Sequence, residues 1–243
     1  MKLTSLNAEN ERVAVILAGG LGIRLRSVVS DRPKPMADVG GKPFLEYLVQ
    51  RLLAQKFSRI VFCVGYMKDW ITEYFVRNYP SISNFSLEDN PLGTAGALRN
   101  AGNLLPRRFV VLNGDTFAPI DYGRLLSFHE EKGAQLTLTL SFAMEGSRFG
   151  EVELKDGLVK RFEEKRNLGS SIKYVNAGIY AVSHNILDEI PEDIQYSIEQ
   201  DLLPRLIRSN VRIAGYVTDT RFVDIGEPQS YADLSRNQSV LRE

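Results

Sequence analysis

The sequence is poor in the residues that cross-link small proteins. It contains one cysteine, Cys63, and two histidines, His129 and His184, among 243 residues. One cysteine cannot form a disulfide within the chain, and three such side chains are too few for the usual four-ligand zinc site. We therefore expect a core without cross-links, in which Cys63 packs inside a strand and both histidines lie at the surface.

The chain also lacks net charge and long apolar runs. Lysine and arginine total 30 and aspartate and glutamate total 30, so the formal net charge is zero. Nucleic-acid binding depends mainly on an excess of basic groups, so we expect no nucleic-acid partner. The longest apolar runs, such as residues 13–18, fall far short of the roughly 20 residues that span a bilayer. The first ten residues lack the apolar core of a signal peptide, which predicts a cytoplasmic protein with no membrane partner.

What the chain does contain is enough apolar sequence, 44 % of its residues, for one full hydrophobic core. Residues 1–12 form a polar leader with little to bury, and residues 13–243 are predicted to form a single domain. The pattern of elements changes near residue 133, which divides the domain into lobes of residues 13–133 and 134–243.

The first lobe alternates short apolar runs with amphipathic segments. This order predicts an α/β fold with a doubly wound, mostly parallel, Rossmann-like mixed sheet flanked by helices. In such sheets ligands bind at the carboxyl ends of the strands. The predicted strands are 13–18, 60–64, 85–87 and 109–113, and the predicted helices are 44–56, 70–76, 94–104 and 122–131.

The second lobe is richer in strands and predicts an antiparallel extension of the same sheet. A hairpin turn is expected at 155–157. Pro204 is expected to bend one of the two helices because its ring disrupts helical hydrogen bonding. The predicted strands are 134–142, 151–154, 158–162, 174–182 and 211–217, and the predicted helices are 198–208 and 229–241.

A glycine-rich stretch follows the first strand and contains Gly19, Gly20 and Gly22. Glycines at this position let backbone N–H groups approach a phosphate closely, although such stretches also occur as simple turns. A P-loop is excluded because no Lys-Ser/Thr pair follows Gly22. The dinucleotide-binding fingerprint is excluded because Leu25 stands where a third glycine or alanine is required.

Two cations follow this loop closely. Arg24 lies two residues after the last glycine, and Lys34 stands between Pro33 and Pro35. The prolines restrict the backbone on both sides of Lys34, so its side chain can be aimed at a ligand. The alternative is a solvated loop lysine, but two cations near a glycine loop favour an anionic ligand.

Two aspartates are candidates for metal binding. Asp115 follows the strand 109–113, where it either caps the next helix or binds a ligand. Asp224 lies within the apolar stretch 222–226, and a buried carboxylate needs a partner. Mg²⁺ is an adequate partner, since it binds through one or two carboxylates together with substrate phosphates and water.

Together these motifs resemble those of the sugar-1-phosphate nucleotidylyltransferases, and the resemblance extends from residue 13 to about residue 235. It implies a fold of the nucleotide-diphospho-sugar transferase type. The matching motifs are Leu17-Ala18-Gly19-Gly20-x-Gly22-x-Arg24-Leu25, Pro33-Lys34-Pro35, Lys42-Pro43, Gly93-Thr94-Ala95-Gly96, Asn113-Gly114-Asp115, Glu163-Glu164-Lys165, Asn176-Ala177-Gly178 and Asp224-Ile225-Gly226.

The resemblance also implies roles for individual residues. The first lobe would bind the nucleotide and the second the sugar phosphate. Arg24, Lys34 and Asp115 would be catalytic, and Asp115 and Asp224 would hold Mg²⁺. The implied nucleotide-binding residues are Leu17, Ala18, Gly19, Gly20, Gly22, Arg24, Lys34, Gly93, Thr94 and Gly96, and the implied sugar-phosphate-binding residues are Gly114, Glu164, Lys165 and Asn176.

The implied reaction joins a sugar 1-phosphate to an NTP and releases pyrophosphate. The spacing of the motifs in 162–165, 174–180 and 222–231 is most similar to that of short D-glycero-α-D-manno-heptose 1-phosphate guanylyltransferases. This favours GTP and a heptose phosphate as substrates, GDP-heptose as product and a role in surface polysaccharide synthesis. Mannose 1-phosphate guanylyltransferase and N-acetylmuramate 1-phosphate uridylyltransferase remain alternatives, as does a non-catalytic subunit that binds a nucleotide sugar. An oligomer is compatible with the sequence.

Overall fold

A computed structural model describes residues 11–142, 150–163 and 174–242. Within these ranges a nine-stranded mixed sheet runs through both lobes, accompanied by two small two-stranded sheets. The strands are β1 (Val13–Leu17), β2 (Asp38–Val39), β3 (Lys42–Pro43), β4 (Arg59–Val64), β5 (Ser83–Leu87), β6 (Arg108–Asn113), β7 (Thr116–Phe117), β8 (Leu136–Phe142), β9 (Glu151–Lys155), β10 (Leu158–Glu163), β11 (Tyr174–Ser183), β12 (Ile213–Val217) and β13 (Val223–Asp224).

The helices cover both faces of the large sheet. The α-helices of the described ranges are α1 (Phe44–Ala54), α2 (Lys68–Asn78), α3 (Gly93–Asn100), α4 (Tyr122–Glu131), α5 (Leu203–Arg208) and α6 (Pro228–Arg236). Short 3₁₀ turns occupy Ile23–Leu25, Lys34–Met36, Gly102–Leu104, His184–Glu189 and Ser239–Arg242, and a π-helical turn occupies Ile198–Leu202.

The large sheet has the strand order β5-β4-β1-β6-β11-β8-β12-β10-β9. Its first four strands are parallel. β11 is antiparallel to both β6 and β8, and β10 is antiparallel to β12 and β9. The predicted mixed sheet with an antiparallel extension is therefore confirmed, with the added detail that β12 runs parallel to β8.

The continuous apolar character of β1 follows from burial on both faces. Ala14 and Ile16 pack into one core cluster, which contains buried residues of α1, α2 and α4. Val13 and Val15 pack into the cluster on the other face, which contains buried residues of α3 and α5. A strand covered on both sides has no polar face, and alternation of polar and apolar residues is therefore absent.

Two predicted helices end or change form several residues earlier than expected. The helix predicted over 94–104 is α up to Asn100 and continues as a 3₁₀ turn from Gly102 to Leu104. The closing helix predicted over 229–241 ends at Arg236, because Asn237 is extended and its side chain accepts a hydrogen bond from the Ser239 N–H at 3.0 Å. Such a local side-chain bond competes with helical hydrogen bonding.

The segment predicted as a bent helix over 198–208 is a π-helical turn followed by α5. Within the turn the Leu202 N–H bonds the Ser197 carbonyl, five residues back, at 2.9 Å. Pro204 stands in the first turn of α5, where its missing N–H is best tolerated. Pro204 was expected to bend the helix. The irregularity in the structure is instead the wide π-helical turn, which ends two residues before Pro204.

The prediction that His129 lies at the surface is wrong. His129 is 1 % exposed, and its two ring nitrogens lie 2.8 Å from Thr137 Oγ1 and 2.9 Å from Ser183 Oγ. These hydroxyls give each ring nitrogen a hydrogen-bond partner inside the protein, so burying His129 costs little free energy. His184 is half-buried, with Nε2 3.3 Å from the Gly102 carbonyl oxygen, and Cys63 is buried as predicted.

In the ranges that the structure describes, no helix is both long and apolar enough to cross a membrane.

Candidate active site

The carboxyl ends of the parallel strands lie at one edge of the sheet and border a cavity of about 690 Å³. This volume lies within the usual range for small-molecule sites. Among the described residues the cavity is lined by Leu17, Ala18, Gly19, Gly20, Leu21, Gly22, Ile23, Arg24, Lys34, Pro35, Glu88, Pro91, Gly93, Thr94, Ala97, Asn113, Asp115, Gln195 and Gly226. Nine of the ten predicted nucleotide-binding residues are in this set, and Gly96 is the exception.

The glycine loop needs glycine at position 22 for two reasons. Gly22 has φ +60°, a left-handed conformation that side chains other than glycine adopt at a cost. A Cβ on Gly22 would also lie 2.9 Å from the Cβ of Lys34. The bare backbone of Gly22 therefore allows the loop to pack directly against Lys34.

The side chain of Lys34 points to the cavity and is only 10 % exposed. Pro33 is extended and Pro35 lies within a 3₁₀ turn that begins at Lys34, as expected if the two prolines fix this stretch of backbone. The Lys34 ammonium forms an ion pair with the carboxylate of Asp115. Lys34, predicted to bind the nucleotide, and Asp115, predicted to hold Mg²⁺, thus contact each other directly.

Asp115 and Asp224 are brought together by a small antiparallel sheet. β7 pairs with β13 so that Asp224 stands opposite Thr116, and the Ile225 N–H donates to the Asp115 carbonyl at 3.0 Å. The Asp224 carboxylate accepts from the Gly226 N–H, and Gly226 lines the cavity. The described residues contain no cluster of three or more histidine, cysteine, aspartate or glutamate side chains able to hold a metal. Two carboxylates together with substrate oxygens are nevertheless the kind of ligand set that Mg²⁺ uses.

Arg24 borders the cavity but is mostly exposed, at 57 % of its side chain. Its guanidinium lies 3.6 Å from the carboxylate of Glu227, which follows Gly226. An exposed pair of this kind contributes little to stability. Arg24 therefore borders the cavity with a guanidinium that is largely open to solvent.

The start of α3 forms another wall of the cavity. Gly93 has φ +73°, and a Cβ there would lie 2.6 Å from the Tyr196 carbonyl oxygen. The Thr94 hydroxyl accepts from the Ile198 N–H at 2.7 Å and donates to Glu199 Oε2 at 3.1 Å. The α3 start is thus held by the segment 195–199, which no motif in the sequence connected with this site.

Gly96 is buried behind this wall. A Cβ there would lie 2.9 Å from the Ile194 carbonyl oxygen. The Gly96 N–H donates to the Tyr196 carbonyl at 3.1 Å. The structure therefore places Gly96 in the packing of α3 and outside the cavity lining.

Gly114 and Asn176, both predicted to bind the sugar phosphate, also lie outside the cavity lining. The Gly114 N–H donates to the Leu17 carbonyl at 2.9 Å, which closes the gap between the ends of β1 and β6. The Asn176 amide donates to the Tyr180 hydroxyl at 2.8 Å and accepts from the Gly178 N–H at 3.1 Å. Its polar groups are thus used within an irregular stretch of β11.

Glu164 and Lys165 lie outside the described residues.

Sequence reasoning assigned no role to three polar residues of the cavity wall, Glu88, Asn113 and Gln195. Glu88 directly follows β5, so the carboxyl-end rule that singled out Asp115 could also have found it. Asn113 ends β6, and its Oδ1 is buried with no hydrogen-bond partner among the described residues. A Cβ on Gly178 would lie 2.7 Å from Asn113 Nδ2, so the glycine makes room for this amide.

Comparisons with known proteins match nearly the whole chain. The family model described as nucleotidyl transferase matches residues 13–239. A D-glycero-α-D-manno-heptose 1-phosphate guanylyltransferase of Aneurinibacillus thermoaerophilus is 38 % identical over 220 residues, which cover 90 % of this chain and 94 % of the relative. A protein of the same name from Campylobacter jejuni is 35 % identical over 220 residues, which cover 90 % of this chain and 96 % of the relative. The crystal structure of HddC from Yersinia pseudotuberculosis complexed with GMP-PN has a TM-score of 0.82 and 34 % identity, covering 94 % of this chain and all of that one.

Proposed function

The chain belongs to the nucleotidyl transferase family, and on this basis we propose that it transfers a guanylyl group from GTP to D-glycero-α-D-manno-heptose 1-phosphate. One structural observation supports the proposal above all others. Arg24, Lys34 and Asp115 come from separate segments and meet at one glycine-lined cavity. The choice of guanine and heptose is supported by the names of the similar proteins.

The reaction needs positioning and charge neutralisation more than covalent chemistry by the protein. An oxygen of the sugar phosphate attacks the α-phosphorus of GTP, the bond from the α-phosphorus to the bridging oxygen breaks, and pyrophosphate leaves with that electron pair. Phosphoryl-group transfers of this kind require no protein nucleophile. The cavity lining in the described ranges fits this expectation, because it contains no histidine or cysteine and its Thr94 hydroxyl is engaged by backbone and Glu199.

Arg24 and Lys34 would contact the β- and γ-phosphates of GTP. The Lys34 ammonium is largely shielded from water, so its interactions with charged groups, with Asp115 in this structure and with a phosphate of bound GTP, are stronger than those of a surface lysine. Arg24 is exposed at the mouth and offers planar donors suited to phosphate oxygens. The backbone of the loop from Gly19 to Gly22 is bare enough for close approach.

Asp115 and Asp224 would hold Mg²⁺. Both are oxygen donors, their backbones are joined by β7 and β13, and Asp115 borders the cavity where phosphates would lie. When bound, the ion would supply positive charge that offsets the crowded phosphates. The chain's own contribution is to hold the Asp115 carboxylate beside Lys34 and to join the backbone of Asp224 to that of Asp115.

The orphaned Oδ1 of Asn113 supports a sugar subsite beside Asp115. A buried amide oxygen without a partner is unfavourable, and a sugar hydroxyl can donate to it. Glu164, Lys165, Gly114 and Asn176 remain predicted ligands of the sugar phosphate. We place the reaction in the cytoplasm and its product, GDP-heptose, in the synthesis of surface polysaccharides.

The test is pyrophosphate release in the presence of Mg²⁺. GTP, UTP, CTP, dTTP and ATP would each be combined with the 1-phosphates of D-glycero-α-D-manno-heptose, mannose, glucose and N-acetylmuramate. We expect the highest kcat/KM for GTP with the heptose phosphate. Preference for mannose phosphate or for UTP with N-acetylmuramate phosphate would replace the proposed substrates, and no release with any pair would refute the proposed reaction.

A further inference from the structure

One tyrosine of α6 contacts the hairpin of β2 and β3, which follows the turn that carries Lys34. The Tyr231 hydroxyl donates to the Asp38 carbonyl at 2.6 Å, across 193 positions of the chain. Burial and the nearby Asp38 carboxylate raise the pKa of Tyr231, so the hydroxyl keeps its proton and remains a donor. None of the roles above uses Tyr231.

The hairpin is small and depends on its neighbours for support. β2 and β3 pair through only two residues each, and a two-stranded hairpin of this kind is marginally stable by itself. Two hydrogen bonds fix it to α1, because the Phe44 N–H donates to the Ala37 carbonyl at 2.9 Å and the Tyr47 hydroxyl donates to the Val39 carbonyl at 2.8 Å. Tyr231 supplies a hydrogen bond from the opposite end of the chain.

The end of the chain also packs on the turn of this hairpin. A Cβ on Gly40 would overlap the side-chain amide of Gln238, so the glycine allows the amide to lie directly on the turn. Leu241 is buried in the core cluster that contains Met36, two residues after Lys34. The C-terminal segment, residues 228–242, therefore holds the hairpin by a hydrogen bond, a close polar contact and shared apolar packing.

The same segment starts at the cavity. Asp224 and Gly226 precede α6 by a few residues, and Gly226 is part of the cavity lining. The backbone of Ile225 is bonded to that of Asp115. The C-terminal segment thus connects the strand of Asp224 to the hairpin that follows Lys34, and it can set the spacing between these two parts of the site.

A short and restricted stretch of backbone joins the hairpin to Lys34. The Ala37 N–H donates to the Lys34 carbonyl at 3.0 Å, Ala37 is fully buried, and Asp38 is the next residue. Pro35 removes further conformational freedom. A shift of the Asp38 carbonyl is therefore passed on to the Lys34 backbone. Charged groups in a binding site must be held within about 0.5 Å of their working position, so a small shift is enough to matter.

We propose that Tyr231 is a positioning residue for Lys34, which it holds in place through the Asp38 carbonyl. This inference rests on the proposed function, since it assumes that Lys34 contacts a phosphate of the nucleotide. In the described ranges Tyr231 is not among the residues that line the cavity, so it acts through Lys34 and not by touching the ligand.

The test is a double-mutant cycle on GTP affinity, measured by calorimetry with the full chain, Mg²⁺ and no sugar phosphate. Tyr231→Phe removes the hydroxyl and keeps the ring that packs against the core. We expect it to weaken GTP binding about 3- to 10-fold, the scale of one hydrogen bond. In the Lys34→Met protein the same substitution should change GTP affinity less than about 1.5-fold, because no ammonium is left to be positioned.

The cycle separates positioning from a general effect on the fold. If Tyr231 only stabilised the protein, Tyr231→Phe would weaken GTP binding by the same factor with and without Lys34, or would not weaken it at all. Either result would overturn the proposal. Urea unfolding checks that all four proteins are folded under the conditions of the binding measurement.

Tyr216→Phe is the matched control. Tyr216 is also a partly buried tyrosine packed against the same core cluster, and its hydroxyl forms no hydrogen bond with the described residues. This variant should bind GTP as the wild type does.

Pyrophosphate release by the wild type with the heptose phosphate is measured in parallel. GTP binding without release would refute the proposed reaction and leave the cycle to decide on Tyr231. Release together with an equal effect of Tyr231→Phe in both backgrounds would refute the role of Tyr231 alone. A wild-type protein that does not bind GTP would overturn both proposals.

Discussion

The ammonium of Lys34 forms an ion pair with the carboxylate of Asp115, 81 positions further along the chain. The two side chains differ in exposure, at 10 % for Lys34 and 31 % for Asp115. The lysine therefore depends on this partner more than the aspartate does, because water can still reach the carboxylate. The pair holds both charges at the cavity, where a phosphate and a cation would meet them.

This difference predicts unequal costs when each partner is removed. Asp115→Asn leaves a nearly buried ammonium without its carboxylate, and we expect the free energy of unfolding to fall by about 1–3 kcal/mol. Lys34→Met leaves a hydrated carboxylate and fills the space of the lysine stem, so the loss should stay below about 1 kcal/mol. Urea unfolding of both variants measures the difference. An equal or larger loss for Lys34→Met would contradict this interpretation of the pair.

Asp115→Asn should also abolish turnover that depends on Mg²⁺. The amide has one neutral oxygen in place of two charged ones and is a poor ligand for a hard cation. We expect kcat/KM for pyrophosphate release to fall at least about 100-fold, roughly the scale of losing one key electrostatic group. Circular dichroism checks that the variant is folded. Near-normal activity would show that Asp115 does not bind the metal.

Gly22→Ala should reduce both stability and activity. An alanine at φ +60° costs about 1–2 kcal/mol, and its Cβ would press on Lys34. Gly133 also has a positive φ, +56°, but has open space around it. Gly133→Ala should therefore show the conformational cost alone, with unchanged kcat/KM. If the two variants unfold at the same urea concentration and are equally active, the contact between Gly22 and Lys34 has no consequence.

Thr94→Val should loosen the start of α3. The substitution removes the hydroxyl that accepts from the Ile198 N–H and donates to Glu199. A buried N–H without an acceptor costs about 1–3 kcal/mol of unfolding free energy, and the KM for the nucleotide should rise because this wall of the cavity is displaced. Thr94→Ser keeps the hydroxyl and should restore most of both properties. Thermal unfolding and initial rates are compared for the two variants. Identical values for Thr94→Val and Thr94→Ser would show that the hydroxyl does not hold the start of α3.

His129 should make stability depend on pH. Burial and the nearby Arg108 lower the pKa of His129 from 6.5 to about 4. The unfolded chain therefore binds a proton at higher pH than the folded protein, so stability is full above pH 6.5 and is lost as the pH falls towards 4. We expect a loss on the order of 2 kcal/mol between pH 7 and pH 5 from this group.

The control for this prediction is His129→Gln, which cannot titrate. Its stability, measured by urea unfolding, should change less between pH 7 and pH 5 than that of the wild type. The same pH dependence in both proteins would assign the effect to other groups.

The order of helices and strands was predictable because its signals are local. Continuous apolar runs, helical spacing and glycines at strand ends are all visible within a few residues. The same holds for Arg24 and Lys34, which lie close to the glycine loop in sequence. His129 was mispredicted because an amphipathic pattern does not show that the polar partners Thr137 and Ser183 come from β8 and β11.

The sequence by itself therefore determined the α/β architecture and the phosphate-binding chemistry of the loop. Only the tertiary structure decided that β13 pairs with β7 beside Asp115, that Asp115 neutralises Lys34, and that Glu88 faces Gly19. These contacts join residues far apart in the chain. They depend on the order in which the strands pair and on how they pack around a common core. This order leaves no pattern among residues that are neighbours in the sequence.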